Sequence, residues 1–84
     1  MNVRDTRDRQ EVLEVYRWSV AQAGLGLLEQ LPNWDSASTW HNSLFRDSST
    51  GRQWVVYLAD HAWPGEVRLV TTDATAAQEA HRRK

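Results

Sequence analysis

The chain has 84 residues, a formal net charge of −1, 25% charged residues and no cysteine. That suffices for one domain over residues 1–84, with a thin core, because a chain of this size buries only about 60% of the surface it exposes when unfolded. A disulfide framework and a thiolate zinc site are excluded, and the uncharged run 18–28 is far short of the roughly 20 apolar residues of a membrane span.

Two compositional features carry information. Isoleucine is absent, and Lys84 is the sole lysine against nine arginines and nine alanines. This is the codon signature of a GC-rich genome, bacterial or phage, rather than of selection for arginine chemistry. Five tryptophans stand at Trp18, Trp34, Trp40, Trp54 and Trp63. Large aromatics each bury roughly 150–250 Å² and so fill a thin core, but Trp also marks binding hot spots. The expected division is three in the core and one or two on a contact surface. The acid in the N-terminal segment 1–5 is unlike a signal peptide, which with the lack of cysteine suits a cytoplasmic protein.

In chain order, residues 1–7 carry no pattern and are expected to be disordered, as are the last few. Asp8 with Glu11 three residues on reads as a capping-box helix start. Val12, Leu13, Tyr16, Val20, Ala23, Gly24, Leu27 and Leu31 keep one helical phase until Pro32. The phase does not slip across Gly24 and Gly26, so one helix over about 9–31 is expected, with a break at Gly24 as the alternative. On a continuous helix, Gly24 on the inner face implies a closely packed neighbour. A second stripe, Trp18, Ala21, Leu25 and Leu28, makes the C-terminal half apolar nearly all round.

Beyond a polar linker at 33–38, residues 39–46 fit a strand and 47–51 a turn. Residues 52–59 contain the run Trp54, Val55, Val56, Tyr57, Leu58, a strand covered on both faces and therefore central. Pro64 and Gly65 fit the middle of a type II turn, and 66–71 reads as a third strand. Residues 72–84 fit a short helix with Ala76, Ala77 and Ala80 on its apolar face and His81, Arg82, Arg83 and Lys84 offsetting its dipole. The expected fold is α+β: a long N-terminal helix on a three-stranded antiparallel sheet, then a short C-terminal helix. This α-β-β-β-α order is similar to that of double-stranded RNA-binding domains. Asp73, however, stands where those domains place phosphate-binding lysines.

Chemical motifs are sparse. His41, His61 and His81 lack the spacing of a zinc pair. Ser43, His61 and Asp60 form a nucleophile set only of the kind any chain of this size offers. No metal, cofactor or catalytic residue is assigned. Nucleic-acid binding is the alternative function, through Arg52, Trp54, Tyr57 and Arg68, with Trp40 beside them as a further stacking surface. It is disfavoured by the interleaved charge. The leading expectation is a non-enzymatic binding protein, an accessory factor or stoichiometric inhibitor encoded by a bacterium, phage or mobile element. It is expected to contact another protein or itself, as a homodimer, because the apolar faces outnumber the covers available. The expected contacts are Trp18, Ala21, Leu25 and Leu28, with Trp63 at the Pro64–Gly65 turn.

Overall fold

A computed structural model describes residues 1–59 and 62–70 of the chain. The fold is α+β. Helix α1 (Arg9–Gly24) precedes four strands, β1 (Glu29–Pro32), β2 (Asn42–Arg46), β3 (Gln53–Tyr57) and β4 (Glu66–Val70). The strands form one antiparallel sheet in chain order. The fourth strand removes the likeness in element order to double-stranded RNA-binding domains. The helix expected over 72–84 lies outside the described residues. Among the described residues no helix is long and apolar enough to cross a membrane.

The start of α1 follows the sequence. Asp8 is extended, and its Oδ2 accepts a hydrogen bond from the Glu11 backbone N–H at 2.9 Å, which satisfies one orphan donor of the first turn. The reciprocal half of the capping box is replaced. The Glu11 carboxylate accepts from Arg4 Nε at 2.9 Å and from Thr6 Oγ1 at 2.8 Å.

The end of α1 departs from the continuous helix. Leu25 is the C-cap, and Gly26 follows with φ +79°. The Gly26 N–H donates to Ala23 O at 3.0 Å and the Leu27 N–H to Gln22 O at 3.0 Å. These are the two bonds of a Schellman motif, so Gly26 terminates the helix by supplying the left-handed residue. The unbroken phase of Leu27 and Leu31 is a coincidence of spacing. Leu28 instead enters the core, and Leu31 lies in β1 opposite Leu44. Gly24 faces open space, with nothing within 4 Å of where a Cβ would sit, so no element packs closely there.

The sheet has two apolar faces, and both are covered. On the helix side, Val12 and Val15 of α1 pack with Phe45, Trp54, Val56 and Val67, joined by Val3 and Leu28. On the far side, Leu44, Val55 and Tyr57 are buried beneath Trp34, with Trp40 and Trp63 packed alongside. Among the described residues the expected surplus of uncovered sheet is not found, because three tryptophans outside the strands close the face that α1 does not reach.

The N-terminal segment is also ordered rather than loose. Thr6 pairs with Val67 through both backbone bonds, at 3.0 and 2.9 Å. Asp5 Oδ1 accepts from Leu69 N at 2.7 Å, and Val3 O accepts from Arg52 Nη2 at 2.7 Å. These contacts cap the outer edge of β4, which removes an open template for strand addition. Their short, polar sequence shows no periodicity, so pattern reading passes over them.

Gly65 sits where elements converge. Its φ is +86°, and a Cβ there would lie 2.6 Å from Tyr57 O and 3.1 Å from Val12 Cγ1. Three glycine substitutions should therefore rank in order under urea unfolding. Gly65→Ala should lower stability by about 2 kcal/mol or more, through both strain and overlap. Gly26→Ala should cost about 1 kcal/mol for the left-handed residue. Gly24→Ala, in open helical space, should gain about 0.5–1 kcal/mol.

Candidate functional site

The buried face of α1 is Val12, Val15 and Ser19. At 100° per residue this axis is rotated by roughly 90° from the stripe read off the sequence. Ser19 is the cause. Its hydroxyl is fully buried and accepts from Trp54 Nε1 at 3.0 Å, so a residue counted as polar lies at the centre of the inner face. Leu13 and Val20, expected inside, are each 37% exposed.

The rotation redistributes the expected contact stripe. Trp18 is half-buried and stacks on Trp54, with ring centroids 6.2 Å apart. Ala21 is exposed, Leu25 is 72% exposed, and Leu28 is buried in the core. Leu27, expected on the inner face, is 60% exposed. Its signal in the sequence is Gly26, which turns the chain immediately before it. In many Schellman motifs the residue at this position packs on the helix residue five places back. Here that residue is Gln22, which offers Leu27 no apolar partner surface. A surface of Ala21, Leu25 and Leu27 thus crowns the C-terminal end of α1.

The second candidate, Trp63, lies on the far face. Its ring is 4.7 Å from Trp40 and meets Tyr57 edge-on at 6.2 Å. Tyr57 Oη donates to Asp35 Oδ2 at 2.7 Å, and the Arg68 guanidinium lies over the Tyr57 ring at 5.3 Å. Together these residues and Glu66 line a recess of about 290 Å³. Asn42 holds the segment that carries Trp34 and Trp40. It is 6% exposed, and its Nδ2 donates to Asp35 O at 3.1 Å and Trp40 O at 3.0 Å, while its Oδ1 accepts from Asp35 N at 2.8 Å.

The nucleic-acid set is split by the sheet. Trp54 faces α1 and Tyr57 faces away, and both are buried, at 2% and 4% exposure. Arg52 lies over Trp54 at 6.0 Å and Arg68 over Tyr57, so the four residues form two separate pairs rather than one stacking platform. Trp40 belongs to the Tyr57 side. Ser43 is buried and accepts from Gln30 Nε2 at 3.2 Å, and His41 is exposed. Asp60 and His61 lie outside the described residues, as does His81. Among the described residues no group of three His, Asp or Glu stands close enough to hold a metal ion. On the flank of α1 an apolar groove of about 350 Å³ runs between Leu13, Tyr16 and Leu58.

Two outcomes test this geometry. Asn42→Ala removes three bonds to half-buried backbone and should cost about 2–3 kcal/mol, with greater access of acrylamide to tryptophan. Burial, then the bond to Asp35, pushes the Tyr57 phenol up to about 12. In the unfolded chain it ionises near the ordinary value of about 10. Between these values the unfolded state holds fewer protons, so stability should fall as pH rises from about 10 to about 12. Tyr57→Phe should flatten that fall in urea titrations, and a parallel fall in both proteins would assign it to other groups. The chain matches no protein-family model, no curated protein and no solved structure.

Proposed function

We propose that the protein acts without catalysis, by binding another protein through the C-terminal end of α1. The observation that carries this reading is the exposure of Leu25 at 72% and Leu27 at 60% on either side of Gly26. The Schellman turn requires Gly26 alone. Its neighbours are unconstrained by backbone conformation and serve equally well as polar residues. Two exposed leucines flanking the glycine of such a turn, with Ala21 exposed one helical turn before Leu25, form an apolar projection of the kind that marks an interface. A second copy of the chain is the simplest occupant, since an apolar projection can pack on itself about a two-fold axis. A role as accessory factor or stoichiometric inhibitor follows if the occupant is a different protein.

The test is a Leu25→Lys, Leu27→Lys double variant. Lysine is chosen because cations at a helix C-terminus are favourable, and exposed substitutions usually change stability by only about 0.5 kcal/mol. The wild type should self-associate in light scattering or sedimentation, and the variant should weaken this by roughly tenfold or more with an unchanged circular dichroism spectrum. A monomeric wild type that also captures no host protein lost by the variant would overturn the reading.

A further inference from the structure

The far-face recess is built on a different principle from the helix end. Its walls are the rings of Trp40, Tyr57 and Trp63. Aromatic faces attract weakly hydrated cations, and guanidinium above all. Two carboxylates, Asp35 and Glu66, stand among the rings. The protein already places a guanidinium in this setting. Arg68 lies over the Tyr57 ring at 5.3 Å while its Nε reaches Glu66 Oε2 at 3.2 Å. The Arg68 side chain is 55% exposed, whereas that of Glu66 is 17% exposed. The cation is thus the solvent-facing half of the pair and the carboxylate the more buried half. Arg7 approaches Glu66 through its other oxygen, Oε1, at 3.8 Å, which leaves Oε2 to the guanidinium over the ring.

We propose that this recess binds an arginine side chain of a partner polypeptide, which takes the place over Tyr57 that Arg68 occupies in the unbound protein. Arg68 then acts as an internal stand-in. It keeps the aromatic face and Glu66 Oε2 satisfied until a partner guanidinium displaces it into solvent. Recognition has three parts: stacking on Tyr57 with Trp63 as the side wall, a charge-assisted bond to Glu66 Oε2, and exclusion of water by Trp40. Asp35 acts through Tyr57, since its bond to Tyr57 Oη fixes the ring. The site does not depend on the leucines at the end of α1.

The test uses N-acetyl-arginine amide as the probe, titrated into the full chain and followed by the indole N–H resonances and tryptophan fluorescence. Wild type should show weak, saturable shifts at Trp40 and Trp63. Arg68→Ala should bind the probe roughly tenfold more tightly, because the internal competitor is gone. Adding Glu66→Gln to Arg68→Ala should reverse most of that gain while the rings remain in place. N-acetyl-lysine amide should bind more weakly than the arginine probe to Arg68→Ala. The proposal is overturned if Arg68→Ala, with a native circular dichroism spectrum, shows no saturable shift with the arginine probe. It is equally overturned if Trp63→Ala in the Arg68→Ala background binds as well as Arg68→Ala alone. Tighter binding of tetramethylammonium than of the arginine probe would overturn the assignment of arginine.

Discussion

The rest of the structure depends on the burial of β3. All five residues from Gln53 to Tyr57 are buried, so both faces of the sheet must be covered. α1 covers one. The other is covered by Trp34, Trp40 and Trp63, which come from irregular chain. Irregular chain is a poor cover, because its backbone groups are left to find partners. Asn42 resolves this for the segment bearing Trp34 and Trp40 by bonding three backbone groups at once. Gly65, two residues after Trp63, lets the chain approach Tyr57 O more closely than a side chain permits. An Arg9 bond to Trp63 O at 3.3 Å ties that segment to the first turn of α1.

The parts of this fold visible in the sequence are those with local signals. The Asp8 start, the 47–51 turn, the central position of β3 and the placement of β4 all follow from residue type and period. The helix end does not, because a helical phase through Leu27 and Leu31 continued by chance across a strong stop at Gly26. β1 was hidden for the same reason. Only four residues long, it carries a single apolar side chain of its own, Leu31, within the apparent helical pattern. The inner face of α1 is not legible from apolar period, because Ser19 is buried for a hydrogen bond rather than for apolarity. The double apolar character of β3 was legible, but its consequence was not. Counting helices as the available covers left out tryptophans outside the strands, and an excess of faces over covers followed. Of the expected contact residues, Leu25 and Ala21 are at the surface, at the end of a helix that stops at Gly24.

The sheet edges narrow the ways this protein can meet another. β4 is capped by the N-terminal segment at Thr6. β1 is four residues long, ends in Pro32, and carries Glu29 paired with Arg46 at 2.8 Å. A short edge closed by proline and charge is a poor template for strand addition. An interface at either edge, among the described residues, would therefore rest on side chains, as the helix end and the far-face recess could supply.

The recess is a consequence of closing a small core economically. A second helix over the far face would present a row of aliphatic side chains that interdigitate and leave little room at their margins. Three indoles supply comparable area from few residues, at roughly 150–250 Å² each. Flat rings meeting at 31° and 67° cannot fill space as continuously, and the recess beside Trp40, Tyr57 and Trp63 is what remains. Its walls are aromatic because the cover is aromatic, and its charges come from Glu66 and Arg68 on the far-face side of β4 and from Asp35 in the segment between β1 and β2. The chemistry of the recess is thus set by the same tryptophans that cover the far face.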